Sequence, residues 1–312
     1  MALPLVSIVI TTYRRPELLA RSINSILNQT YSNVEVIVVD DNDPVSDYRK
    51  KTEMVMEDFA SNGRVTYVRQ PRNLRQSAAL NKGIKTSKGE FVGFLDDDDE
   101  FLPDKIERQI ELLSEYKEDR NVGGVYCNVL KRGKGQEIAT SFRKKNDEGN
   151  LLYPMLMGQV SYFGSSVLLK REVFDVVSGF NETMRRHVDL EFFSRFFNYY
   201  TLLLVEKPLV RIHIEGARNN PKAETYLQVK NDFFSAIDPY LGILTKQEYN
   251  RIYRYNYFDV SISFFANKEF FKGCKILRKA LHYGWLSGKE FWLLSKIIIK
   301  NPKVPNIICF FI

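Results

Sequence analysis

Cysteine and histidine are scarce in this chain, with three of each among 312 residues. Cys127, Cys274 and Cys309 lie far apart, are odd in number and show no CxxC spacing. They support neither a disulfide framework nor a zinc site, and point to a reducing, cytosolic compartment. The glycine-rich phosphate loops GxGxxG and GxxxxGK[ST] are also absent, which sets the chain apart from dehydrogenases and P-loop enzymes. A bound nucleotide would have to be held by carboxylates and a metal instead. No apolar run reaches the ~18 residues of a transmembrane helix. The apolar start has no basic lead and no small-residue cleavage site, so it reads as a first strand rather than a signal peptide. There are no tandem repeats and no low-complexity tracts.

The net charge of +7 is unevenly placed. From Thr245 onward there are 12 Lys and Arg against 4 Asp and Glu, so the preceding part is close to neutral. Nucleic-acid binding by the main body is therefore not expected, whereas a basic surface element near the end is. Hydrophobic residues at 44% and charged residues at 27% fit an ordinary globular protein.

Residues 5–11, 34–39, 65–68 and 91–95 are short apolar, β-branched runs that read as buried strands. Between them lie helical patterns: one opening at Pro16, one through about Ala60 and one over residues 77–86, with a fourth from Pro103. This alternation predicts an α/β, doubly wound, mainly parallel, Rossmann-like sheet with right-handed crossovers. Further strands are expected at 122–130, 165–169 and 205–213, a mobile loop at 131–150, a helix over 188–197 and a flexible stretch at 216–220. From about Ala223 only helical patterns occur.

The most informative stretch is Phe91 to Asp104, where a buried strand runs into Asp96, Asp97, Asp98, Asp99 and Glu100. Five adjacent carboxylates repel one another, and their pKa values rise unless a cation sits among them. Open α/β sheets bind ligands at the carboxyl ends of their strands, and this position favours a divalent-cation site over a solvated loop.

Taken in order, VSIVITTYRRPELLARSINSILNQTY, VEVIVVDDND, NLRQSAALNKGIKTSKGEFVGFLDDDD, SSVLLKREVFDVVSGFNE and HVDLEFFSRF resemble the inverting, GT-A-fold glycosyltransferases of family 2, which build bacterial polysaccharides. The resemblance runs from about Val6 to His213. It implies a GT-A domain over residues 1–222, with a nucleotide-sugar half at about 1–100 and an acceptor half at about 101–222, followed by a helical region at 223–312. It implies that Thr11 and Tyr13 hold the uracil of a UDP-sugar and that Asp41 accepts the uracil N–H. Asp96, Asp98 and Asp99 match the family's D-x-D-D pattern, with Asp96 near the ribose and Asp98 the direct ligand of Mn²⁺ or Mg²⁺. Asp97, at the variable position, is counted on the donor side; the run of four aspartates also admits an alignment one place out. His213 resembles a position near the metal and diphosphate, Asp189 the catalytic base, and Glu191 an acceptor-binding carboxylate. The chain departs from the family at Leu74, Leu80 and Val188, and Arg72 or Arg75 is then expected to meet the diphosphate.

The implied activity is metal-dependent, inverting transfer of a hexose (glucose, galactose or N-acetylhexosamine) from a UDP-sugar. The acceptor is a saccharide, expected to be lipid-linked through polyprenyl diphosphate, in O-antigen or capsule assembly. A sugar nucleotidyltransferase is the alternative enzyme, and a non-catalytic basic membrane-binding protein the alternative from another class. Residues 249–299 mix aromatics with Lys and Arg. They are expected to form either a packed helical domain or a face lying on the inner leaflet, which would make the protein peripheral at the cytoplasmic side of the membrane.

Overall fold

The structure, a computed structural model, describes residues 3–133, 136–139, 143–144, 147–160, 163–214 and 222–300. Cys309 and the stretch 216–220 expected to be flexible lie outside them. The chain divides into two compact units, Met1–Leu151 with Ser161–Gly216, and Leu152–Val160 with Ala217–Ile312.

In the first unit the strands are β1 (Val6–Thr12), β2 (Val34–Asp40), β3 (Val65–Arg69), β4 (Phe91–Asp96), β5 (Glu100–Phe101), β6 (Val122–Gly133), β7 (Gln136–Ala139), β8 (Leu168–Lys170) and β9 (Thr201–His213). They form one nine-stranded sheet of order β3-β2-β1-β4-β8-β6-β9-β5, with β7 paired to β6. The pairs β1–β2, β1–β4, β2–β3 and β6–β9 are parallel. Helices α1 (Pro16–Leu27), α2 (Asp47–Glu57) and α3 (Arg75–Thr86) provide the crossovers that parallel pairing among β1 to β4 requires, and α4 (Lys105–Glu115) joins β5 to β6. Ile8, Ile10, Val36 and Val38 are buried beneath Leu19, Ile23 and Ile26 of α1, so the β-branched runs and the helical stripe meet in one core. This is the mostly parallel GT-A architecture with a helical C-terminal region.

Two local expectations need correction. Residues 165–169 are not one strand: Phe163–Ser166 forms a helical turn, and β8, antiparallel to both β4 and β6, begins only at Leu168. The stretch 131–150 is in part a hairpin, because β6 continues to Gly133 and pairs with β7 through Lys131↔Ile138 and Arg132↔Glu137.

The second unit contains α5 (Leu152–Leu156), and the first α6 (Phe163–Ser166), α7 (Glu172–Val177) and α8 (Val188–Phe196). The second unit continues with α9 (Ala223–Ile237), α10 (Lys246–Ala266), α11 (Phe270–His282) and α12 (Gly288–Lys300). Thr245 and Glu248 form a capping box at the start of α10, satisfying donors that a helix N-terminus leaves unpaired. The aromatic pattern of α10 packs inward: Tyr253 lies 4.3 Å from Phe234 and 5.0 Å from Tyr283 between ring centroids, and Phe264 and Phe265 are buried. No helix among the described residues is long and apolar enough to cross a membrane.

Candidate active site

One wall of the site, where the sequence places the donor, is built where β1 and β2 end in register, Thr12 opposite Asp40. Asp40 is wholly buried and ionically paired with Arg49 at 3.0 Å, and it accepts from Tyr67 Oη at 2.6 Å and Asn42 N at 2.8 Å. Arg49 also donates to the carbonyls of Asn42 and Gln70. A buried charge needs this many partners to be tolerated, and together they fix the turn that carries Asp41. Asp41 accepts from Leu74 N at 2.7 Å, Arg75 N at 2.8 Å and Asn73 Nδ2 at 2.9 Å. Burial raises its pKa and outweighs those two backbone N–H groups. The same bonds hold Arg75 in the left-handed region at φ 72°, which is costly for a residue with a Cβ. Thr11, Tyr13, Asp41, Arg75 and Asp96 together line a cavity of about 340 Å³.

The four aspartates after β4 separate into two groups. Asp97 turns inward, accepting from Thr12 Oγ1 at 2.7 Å and pairing with Arg15 at 2.7 Å. Burial lifts its pKa to about 7, against the pull of Arg15. Asp96, Asp98 and Asp99 converge, with ligand oxygens all within 4.8 Å of one another. Asp98 is gripped by Arg15, and its carbonyl accepts from Arg21 at 2.6 Å. Ser165 Oγ donates to Asp99 at 2.8 Å, and His213 N meets Asp99 at 3.2 Å. Ser22 Oγ holds the loop from below, within 2.9 Å of both the Asp97 and Asp99 carbonyls. Burial first, and then the neighbouring carboxylates, push Asp96 up to about 6 and Asp99 to about 8. Asp96 opens to the cavity although protein surrounds it on its other sides.

An all-oxygen donor set whose members repel one another is what a hard divalent cation relieves, so these three residues fit Mn²⁺ or Mg²⁺. Among the described residues this is the one group of potential ligands close enough to share an ion, and His213 is not part of it. The His213 ring instead meets Glu100 Oε2 at 2.6 Å. Burial would raise Glu100, but His213 and Arg211 outweigh it and hold its pKa below the usual value.

Asp96, Asp98, Asp99, Asp189 and His213 line a second cavity, of about 430 Å³. Asp189 sits in the first turn of α8, which opens at His187 in a left-handed conformation, φ 57°. Burial raises the Asp189 pKa against the backbone N–H groups of its own turn. The helix is held by ring contacts, Phe180–Phe192 at 4.6 Å and Phe163–Phe193 at 4.5 Å between centroids. Gly179, at φ 66°, lets the chain turn beside Asn81; a Cβ there would stand 2.8 Å from Asn81 Oδ1. Asn81 in turn fixes Phe180 through both its N–H and its carbonyl.

Glu191 is not among the cavity-lining residues, which corrects the expected acceptor contact. It is 2% exposed, and its two oxygens accept from Arg195 at 2.9 and 2.8 Å. Arg195 continues to the carbonyls of Val177 and Gly179, so this carboxylate braces α8 against α7. Arg15, Gln76 and Ser165 were not anticipated. Arg15 lies in the loop after β1, where strand ends gather ligands, and Gln76 lines both cavities. Ser165 carried no signal in the sequence: it is placed by α6, which wholly buried Gln109 pins through a 2.9 Å bond to Ser166 O.

A mostly parallel sheet with a carboxylate trio at the end of its fourth strand, and a lone carboxylate across the cavity, defines a glycosyltransferase of GT-A fold. The chain matches Glycosyl transferase family 2 over residues 7–177, more than half its length, and belongs to that family. It is 29% identical over 250 residues to the uncharacterized glycosyltransferase RP339 of Rickettsia prowazekii, covering 78% of this chain and 74% of that one. It is 28% identical over 212 residues to the amylovoran biosynthesis glycosyltransferase AmsB of Erwinia amylovora, covering 67% and 69%. The chain spans 34% to 74% of the length of the rickettsial glycosyltransferases it matches. Among solved structures, S. aureus TarS 1–349 in complex with UDP-GlcNAc aligns with a TM-score of 0.65 over 97% of this chain and 89% of that one. At 15% identity this likeness concerns the fold.

Proposed function

We propose that this glycosyltransferase moves a hexose from a UDP-sugar to a saccharide acceptor carried on polyprenyl diphosphate, with inversion to a β-glycosidic bond. The setting is assembly of a surface polysaccharide such as O-antigen or capsule, at the cytoplasmic face of the membrane. The observation that carries the reading is that Asp189 shares one cavity with Asp96, Asp98 and Asp99, and that Asp96 also borders the donor-side cavity.

The uridine would enter between Thr11, Tyr13 and Asp41. Asp41 already accepts three hydrogen bonds, and a carboxylate has about four lone-pair sites, which leaves room for the uracil N–H. Arg75 borders the same cavity and is the group to meet the diphosphate. Asp96, Asp98 and Asp99 would hold Mn²⁺ or Mg²⁺, which supplies positive charge against the growing charge of the leaving diphosphate.

Asp189 takes the proton of the acceptor hydroxyl as that oxygen bonds to the anomeric carbon and the bond from that carbon to the diphosphate oxygen breaks. Its raised pKa makes it a stronger base than an ordinary carboxylate. Attack from the face opposite the leaving group inverts the centre. The UDP-GlcNAc in the TarS complex supports a UDP-sugar donor, and the amylovoran biosynthesis named for AmsB supports a biosynthetic role.

The test is a donor screen read by released UDP, with and without EDTA and added Mn²⁺. Metal-restored UDP release with one UDP-hexose is expected. Release of pyrophosphate from a nucleoside triphosphate and a sugar phosphate would replace this reading with a nucleotidyltransferase.

A further inference from the structure

Helix α12 presents its greasy side outward. It packs through Glu290 and Leu294, which are buried, and Ile297, which is half-buried. Glu290 accepts from Ser287 N at 2.6 Å and pairs with Arg254 at 3.3 Å, so this acid is turned inward. On the opposite line, at spacings of four and three, stand Trp292, Lys296 and Ile299, with Lys289 a turn earlier. Ile299 is 79% exposed, Phe291 66% and Trp292 57%, and Trp285 in the preceding turn is 86% exposed. Lys296 Nζ lies 3.5 Å from the centroid of the Trp292 ring.

Single exposed apolar residues need no explanation, but a helix and turn carrying this many, rimmed by cations and lacking an outward acid, mark a contact surface. The sequence pattern alone would include Tyr253, Tyr257, Phe264 and Phe265, but these are buried in the core of their own unit. The charge decides the occupant. Pairing with a second copy would bring the two lysines of this face close to the two lysines of the other copy, with no outward acid to offset them. An anionic bilayer meets both features at once, phosphates for the lysines and the headgroup boundary for the indoles.

We propose that Trp285 and the outer face of α12 dock peripherally on an anionic lipid surface, with Trp285, Trp292 and Ile299 entering the headgroup boundary and Lys289 and Lys296 meeting lipid phosphates. This stands apart from the sugar-transfer reading and explains how an enzyme of this kind could meet a lipid-borne acceptor.

The chain has two tryptophans, and both are exposed, so intrinsic fluorescence reports the proposed contact directly. Full-length protein is mixed with vesicles of phosphatidylcholine containing phosphatidylglycerol, or of phosphatidylcholine alone, and followed by emission and co-sedimentation. The expected result is a blue shift and sedimentation with the anionic vesicles, weakened by salt. K289E/K296E should lower partitioning by more than tenfold, since each lysine near an anionic surface contributes roughly fivefold. W285S/W292S should reduce sedimentation while the melting temperature and UDP release toward a soluble acceptor stay unchanged. The proposal is overturned if the wild type ignores both vesicles, or if either double variant sediments as the wild type does. It is equally overturned if the emission shifts with protein concentration alone and W285S/W292S abolishes a dimer, which would make the occupant a second copy.

Discussion

Arg15 spans Asp97 and Asp98, binding the inward-turned carboxylate with one guanidinium nitrogen and a member of the converging trio with the other. It supplies the positive charge that the acidic loop needs before any cation arrives. Arg15→Gln should cost the cation-free protein about 1–2 kcal/mol, less than the ~3–5 kcal/mol of a fully buried pair because Arg15 is 45% exposed. Saturating Mn²⁺ should recover much of this loss by replacing the missing charge at Asp98. Melting curves of wild type and variant, in EDTA and in Mn²⁺, check it; a deficit identical in both conditions would show that Arg15 and the cation do not share Asp98.

The acidic loop also sets a pH dependence. Carboxylates of the unfolded chain titrate near pH 4. Asp96, Asp97 and Asp99 titrate in the folded protein at about 6, 7 and 8. Between those values the folded state holds more protons than the unfolded one, so stability falls as pH rises from about 4 to about 8. A cation opposes the trend, because fewer protons have to leave for it to bind as the pH rises through these values. The melting temperature in EDTA should therefore decline across this window, and the increment from Mn²⁺ should grow. Asp99→Asn should make the EDTA profile shallower.

The first βαβ units were legible because each of their strands is a continuous β-branched run and each helix has its own apolar stripe. The trio Asp96, Asp98 and Asp99 was legible only through the family resemblance, since four identical residues carry no register of their own. The turn that sends Asp97 inward is set by Thr12 and Arg15, some eighty positions away. Ser165 was hidden for a similar reason: the run SSVLL ends in three apolar residues and reads as a short buried strand, whereas Gln109 on α4 holds its first residues in a helical turn. Glu191 was misread because an acid in the first turn of a helix looks the same in sequence whether it faces a cavity or an arginine four residues on.

Glu191→Gln removes one partner of an ion pair whose side chains are 3% (Glu191) and 11% (Arg195) exposed. Breaking such a pair leaves a buried charge uncompensated, and a loss of about 3 kcal/mol is expected. Because Glu191 does not line the cavity, the KM for acceptor should stay unchanged below the melting transition. Denaturation and steady-state kinetics on one preparation separate the two; a raised acceptor KM at unchanged stability would restore the acceptor role.

Asp189→Asn keeps the shape of the cavity wall and removes the proposed base. UDP release at saturating substrates should drop about 10²–10⁴-fold while UDP affinity and melting temperature hold. In the wild type the rate should fall as pH drops through the Asp189 pKa, which lies above the usual carboxylate range. A mere helix cap would behave otherwise, losing about 1 kcal/mol of stability with the activity kept.

Arg75 couples an unfavourable backbone to a proposed ligand contact. At φ 72° a residue with a Cβ carries a steric cost of about 1–2 kcal/mol, held in place here by Asp41 accepting from Arg75 N and Leu74 N. Arg75→Gly relieves that cost, and because glycine also loosens the unfolded chain the net gain should be no more than about 1 kcal/mol. Arg75→Ala keeps the strained backbone and should bring no gain. Both variants lack the guanidinium, and if it meets the diphosphate both should weaken UDP binding by roughly tenfold or more, the scale of a lost hydrogen bond to a charged group. Titration calorimetry with UDP beside melting curves separates backbone from side chain. Unchanged UDP affinity in both variants would remove Arg75 from the donor site and leave its left-handed backbone as a feature of the loop that Asp41 holds.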